Sequence, residues 1–205
     1  MNNIDKAFKS VKSIGQFSKK YFSYLFSVLD SIDENEINSL AETFELARSN
    51  GNTIFVAGNG GSAATAATMA NDIGFDIIKK TETDKPFRVF SLVDNNSVVT
   101  AIANDLGYEN IFVNQLKIHY RSGDCLIAIS ASGNSPNVLK AAKWVKSRGG
   151  LIIGFLGFTG GKLIDLCDVK IHVTTELGEY GPVEDAHLIM NHILAHWFQN
   201  KLINK

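Results

Sequence analysis

Five short apolar runs limit what this chain can fold into more than any other feature. After Gly51-Asn52 they appear as Thr53–Ala57, Arg88–Val93, Cys125–Ile129, Leu151–Leu156 and Val169–Val173, punctuated by turn-forming Gly, Ser and Asn and by stretches of helical periodicity. These runs are apolar without alternation, so both faces of each strand need cover. A parallel sheet between two layers of helices provides it. Residues 4–50 read differently: Phe22, Leu25, Phe26, Leu29 and Ile32 fall at three- and four-residue steps, and Ile37, Leu40, Ala41, Phe44 and Leu46 continue an apolar face. Val183–Leu202 reads as a closing helix with Ile189, Ile193 and Leu194 on one side. The predicted class is α/β. One domain over residues 1–205 combines N-terminal helices (1–50) with a three-layer α/β/α core and a five-stranded parallel sheet (51–205). Phe17, Tyr21, Tyr24 and Phe26 on the helical extension need covering, and another subunit is expected to cover them.

Charge and composition exclude several classes. A net charge of −1, with 20% charged and 45% apolar residues, provides no basic field for direct contact with nucleic acid. No apolar stretch approaches the roughly 20 residues that cross a bilayer, so no membrane association is expected. The N-terminus shows no positive-then-apolar leader pattern, and the expected compartment is the cytoplasm. Cys125 and Cys167 lie inside apolar runs without metal-ligand spacing and read as buried, reduced thiols.

Two strand-to-helix junctions are built for an anion, and ligands of open parallel sheets bind at such carboxyl ends. Ala57-Gly58-Asn59-Gly60-Gly61-Ser62 follows the first run; its glycines allow close backbone approach, and the helix start supplies free N–H groups. With no Gly-Lys-Ser/Thr and the wrong glycine spacing for a dinucleotide fingerprint, it indicates no organic cofactor. Ser130-Ala131-Ser132-Gly133-Asn134-Ser135 follows the third run, where serine hydroxyls and helix-start N–H groups can ring a phosphate monoester. Ser135 also suits a plain N-cap before Pro136, a role compatible with phosphate binding.

Gly58-Asn59-Gly60-Gly61-Ser62, Ala103-Asn104-Asp105 and the Ser130–Ser135 segment together resemble the SIS-domain phosphoheptose isomerases, from about residue 20 to the C-terminus. The resemblance implies a SIS fold, a homotetramer with sites at subunit interfaces, and a sugar-phosphate substrate. It implies substrate contacts at Asn59, Gly60, Gly61, Ser62, Asn104, Asp105, Ser130, Ala131, Ser132, Ser135 and Glu184. Ala131 stands where the family commonly has a hydroxyl. The family's metal-binding His and Glu after the glycine loop correspond to Thr68 and Asp72, and its Gln and His on the last helix to Glu184 and His192. The metal set implied for this chain is therefore Asp72, Glu184 and His192, around Zn²⁺ or another divalent ion.

Aldose–ketose isomerisation moves a proton between adjacent carbons, a task for a carboxylate with an imidazole serving the oxygens. Asp72 and His192 are the expected catalytic pair. The expected reaction converts sedoheptulose 7-phosphate to a heptose 7-phosphate for lipopolysaccharide or capsule precursors. The rival is a SIS-domain protein that binds a sugar phosphate or assembles with protein partners without turnover; Thr68 in the family's His position favours it, and the acidic residue at 72 with His192 favours the enzyme.

Overall fold

The computed structural model describes residues 1–203. Three helices come first: α1 (Asn3–Lys9), α2 (Ile14–Asp30) and α3 (Glu34–Asn50). Ser13 caps α2 by accepting from the Gln16 amide, Asp33 caps α3 through Asn35, and Gly51 ends α3 in the left-handed region at φ 70°. The α/β core then runs β1 (Thr53–Ala57), α4 (Gly61–Met69), a π-helical segment (Ala70–Asp76), α5 (Ile77–Thr81), β2 (Arg88–Ser91), α6 (Asn96–Leu106) and α7 (Ile111–His119). It closes with β3 (Cys125–Ser130), α8 (Pro136–Lys146), β4 (Leu151–Gly157), β5 (Val169–Val173) and α9 (Tyr180–Ile203).

The five strands form one parallel sheet in the order β2-β1-β3-β4-β5. Side chains alternate between two buried faces, as the unbroken apolar runs require. Ile54, Val56, Cys125, Ile127, Ile129, Ile153 and Phe155 face the layer that includes α3, α4 and α9. Phe55, Ala57, Leu126, Ala128, Ile152 and Leu156 face α7 and α8. All six β3 residues are buried. Strand β2 ends at Ser91, short of the expected Val93: the Leu92 amide makes the last ladder bond, to the Val56 carbonyl, and the chain then turns, with Ser91 Oγ donating to Asp94. Helix α9 starts at Tyr180, three residues before the expected Val183, with Pro182 in its first turn where a missing N–H costs nothing.

The N-terminal helices both cover their own core and leave an apolar surface. Leu40 and Phe44 on α3 are fully buried, and Phe44 stacks on Phe198 of α9 at 6.2 Å between ring centroids. Tyr24 donates to the buried Glu179 carboxylate, which also accepts from the Asn3 and Glu176 amides, so α2 is tied to the start of α9. Burial and that bond push the Tyr24 hydroxyl up to about 12. Phe8, Ile14, Phe22 and Phe26 stay exposed on the outside of α1 and α2. Among the described residues no helix is long and apolar enough to cross a membrane.

Phe44 joins the extension to the core, so Phe44→Ala should cost about 3–5 kcal/mol through lost burial and the cavity left behind. Urea unfolding of wild type and variant checks this; a loss below about 1 kcal/mol would show that α3 is not part of the cooperative core.

Candidate active site

Strand order reverses between β1 and β3, and the two predicted anion loops leave the sheet at this point. After Ala57, Gly60 adopts φ 55° and ψ −123°, a backbone region open to glycine. After Ser130, Gly133 adopts φ 61°; a Cβ there would lie 1.8 Å from the Gly160 carbonyl oxygen, and one on Gly161 would lie 2.3 Å from the Ser132 carbonyl. The loops after β3 and β4 are thus pressed backbone to backbone. Across the crevice Asn59 and Asn137 exchange amide hydrogen bonds of 2.9 and 2.8 Å, and the Tyr108 hydroxyl donates to Asn59 Oδ1 at 3.0 Å. Asn137 and Tyr108 were not among the expected site residues. The sequence carried no signal for Asn137, an amide directly after Pro136 whose burial at the helix start, 1% exposed, only the fold reveals.

The serines line the second loop. Ser130 is buried with its Oγ 3.2 Å from Ser135 Oγ. Ser135 occupies the N-cap position of α8, but its hydroxyl makes no capping bond, so it is not consumed as a cap. Ser132 Oγ accepts from the Asn134 amide at 3.2 Å. Ala131 is buried and joins the core, and its carbonyl accepts from the Gly157 amide at 3.1 Å. In the first loop Ser62 is buried, and a Cβ on Gly58 would meet Ser62 Cβ at 2.7 Å. Asn104 and Asp105 sit exposed at the end of α6, hydrogen-bonded to each other at 2.7 Å.

The expected catalytic pair is brought together from distant parts of the chain. Asp72 lies on the π-helical segment and His192 on α9, with His192 Nε2 3.5 Å from Asp72 Oδ2. His192 is half exposed and Asp72 mostly covered. Asp72 Oδ2 also accepts from Asn191 Nδ2 at 2.8 Å, and Oδ1 from Asn71 Nδ2 at 3.0 Å. Thr68 is on α4, so its four-residue spacing to Asp72 crosses from α- to π-helical winding. The sequence reading did not anticipate that change. Asn191 was missed as well, although it is a polar residue on the buried stripe Val183, Ala186, Met190, Leu194 and Phe198.

The expected metal set does not form. Among the described residues no group of three or more His, Cys, Asp or Glu comes together in a way that could hold a metal ion, which corrects the expectation of Zn²⁺ or another divalent ion at Asp72, Glu184 and His192. The physical reason lies in where these side chains are engaged. The Asp72 carboxylate is taken by two amides. Glu184 instead lies against the start of α4, where a Cβ on Gly61 would sit 2.2 Å from its Oε2. Only Asp72 and His192 meet, and Thr68 supplies no imidazole.

Burial, and then the neighbouring Asp185, push the Glu184 carboxyl above its ordinary value of 4.5. A raised folded-state value favours the protonated form, so this stabilising term is complete below pH 4.5 and disappears as pH rises through the folded value. Glu184→Gln should therefore raise the melting temperature at pH 7 relative to wild type, with the difference vanishing below pH 4.5. Thermal unfolding across pH 3.5–8 checks this, and a gain of equal size at every pH would contradict it.

The geometry can be set against known proteins. A family model described as a SIS domain matches residues 20–157. A phosphoheptose isomerase of Aneurinibacillus thermoaerophilus is 38% identical over 161 residues, covering 76% of this chain and 78% of that protein. Phosphoheptose isomerase 2 of Campylobacter jejuni is 34% identical over 202 residues, covering 95% and 97%. Among solved structures, phosphoheptose isomerase GmhA from Neisseria gonorrhoeae superposes with a TM-score of 0.80 at 25% identity, over 92% of this chain and 100% of that one. With the loops, the sheet order and these likenesses in agreement, the chain belongs to the SIS-domain phosphoheptose isomerase family.

Proposed function

We propose that this enzyme, an isomerase of sugar phosphates, interconverts sedoheptulose 7-phosphate and a heptose 7-phosphate, with Asp72 as base and His192 as acid–base partner. The observation that carries this reading is the meeting of Asp72 and His192 at 3.5 Å, from segments 120 residues apart in the chain. The substrate phosphate sits on the Ser130–Ser135 loop, where the Ser130 and Ser135 hydroxyls lie 3.2 Å apart at the N-cap of α8, with Ser132 on the same loop and the first amides of α8 as further donors. The Glu184 carboxylate beside Gly61 disfavours an anion at the start of α4. That leaves the Asn59–Ser62 loop, with Asn104 and Asp105, for sugar hydroxyls.

The reaction is an internal oxidation and reduction. Asp72 takes the proton from C1 of the ketose, the electron pair left behind forms the C1–C2 double bond, and the C2 oxygen gains a proton to give the enediol. The O1 proton then leaves, C1 becomes the carbonyl, and the proton held by Asp72 goes to C2. His192 carries protons to and from the two oxygens, within reach because it shares Asp72 Oδ2. The product suits the synthesis of lipopolysaccharide or capsule precursors, and the proposed compartment is the cytoplasm.

The proposed assembly is a homotetramer. The α9 face that carries His192 forms an open groove with Ile189, Ile193, His196 and Trp197, and both Ile193 and Trp197 are about half exposed. A subunit packed there would cover that apolar surface and keep water from the proton-transfer pair.

Light scattering should give about four times the chain mass of 22.4 kDa at micromolar concentration. A monomer would remove the proposed cover of His192. In deuterated water the wild type should exchange the substrate's C1 proton during turnover. Asp72→Asn should abolish exchange and product formation together, and His192→Asn should lower turnover by roughly 10²–10⁴. Binding of the sugar phosphate by wild type without exchange or product would make the chain a binding protein on this scaffold and refute the enzyme reading.

A further inference from the structure

Asn191 is fully buried on α9, one residue before the half-exposed His192. Its Nδ2 donates to Asp72 Oδ2 at 2.8 Å, while its Oδ1 is buried with no hydrogen-bond partner among the described residues. A carbonyl oxygen removed from water without a donor is a cost to the fold. Its neighbours on the stripe are the apolar Ala186, Met190, Leu194, Ala195 and Phe198, and, one turn earlier, the buried His187, whose Nδ1 likewise has no hydrogen-bond partner among the described residues. A leucine of nearly the same shape would remove that cost. Turning the amide over offers no relief, since it would set Oδ1 against a carboxylate oxygen, acceptor against acceptor. The one polar contact Asn191 makes is therefore to Asp72, at the point where Asp72 also faces His192.

We infer that Asn191 is a positioning residue for proton transfer, pinning the short Asp72 carboxylate at the level of His192. The inference rests on Asp72 being the base. Asp72 reaches out from the wider winding of the π-helical segment, and Asn191 and Asn71 hold one oxygen each, fixing the plane of the carboxylate. Asn191 and His192 are consecutive on α9, so one faces the core and the other the open groove. Asp72 Oδ2 lies between them at the edge of the buried face. Without the Asn191 amide the carboxylate turns toward Asn71 and solvent, away from the imidazole. A displacement of about 1 Å in a reacting group costs on the order of a hundredfold in rate.

The test is Asn191→Leu, assayed with sedoheptulose 7-phosphate beside Asp72→Asn. The expected result is a kcat lower by roughly 10- to 100-fold, a KM within about twofold of wild type, and an unchanged or raised melting temperature. Asn191→Ala should show the same loss of kcat, which separates loss of the amide from the bulk of leucine. A residue with only a structural role gives the opposite pattern. A melting temperature lowered by several degrees, or failure of both variants to fold, overturns the inference, and so does a wild-type kcat in Asn191→Leu. If Asn191→Leu is fully active while Asp72→Asn is dead, the base assignment stands and the inference alone falls. Turnover by Asp72→Asn overturns the base assignment itself, whatever Asn191→Leu does.

Discussion

The reversal of strand order between β1 and β3 is the constraint from which the site follows. The chain leaves β1 into α4 on one face of the sheet and leaves β3 into α8 on the other. Neighbouring loops that depart to opposite faces cannot close over each other, so a crevice opens at the strand ends, edged by amides from two helix starts. The Asn59–Asn137 exchange spans that crevice and fixes the separation of the two loops. With the loops fixed by buried strands on one side and by this bridge on the other, the backbone donors are set in place before a ligand arrives, the condition under which dipoles are most effective.

The second part of the site depends on an irregular winding. A π-helical run has poorer hydrogen-bond geometry than an α-helix and persists where the surroundings require it. Here it lies against β2, with Gly74 close to Val89, and it brings Asp72 to α9. The same geometry explains why a carboxylate pair and an imidazole do not become a metal centre. An aspartate whose oxygens are occupied by amide donors presents less negative charge to a cation, and Glu184 is held at a different helix start. What remains is a carboxylate beside an imidazole, a pair suited to moving protons.

Much of this was legible in the sequence because burial leaves a pattern. Unbroken apolar runs gave all five strands, and the serine and glycine segments marked the two loops, since loop residues of those types carry their geometry with them. Asp72 and His192, which the fold brings together, were singled out only through likeness to a family, because a lone His and a lone Asp on helices have no distinguishing period. The departures have physical causes. The π-helical turn has no composition of its own. Glu184 was paired with Asp72 and His192 by position along the helix, but Gly61 has no side chain and leaves room for its carboxylate elsewhere. Asn191 was overlooked because a polar residue on an apolar stripe reads as an interruption, whereas here it is the feature facing the carboxylate.

The contact between Gly133, Gly160 and Gly161 bears on how such a protein can diversify. At Gly133 and Gly161 the facing backbone admits no side chain, at Gly160 a Cβ would meet the Ile164 side chain, and each of the three glycines has a positive φ. The Ser130–Ser135 loop, the proposed phosphate end of the site, is thus shut to gradual change: nearly every substitution at these glycines moves two loops at once. The end of α6 with Asn104 and Asp105, and the open face of α9, carry no such restriction. Descendants of this chain that come to accept sugars of other length or stereochemistry would alter those outer surfaces, with the contact between the loops after β3 and β4 inherited unchanged.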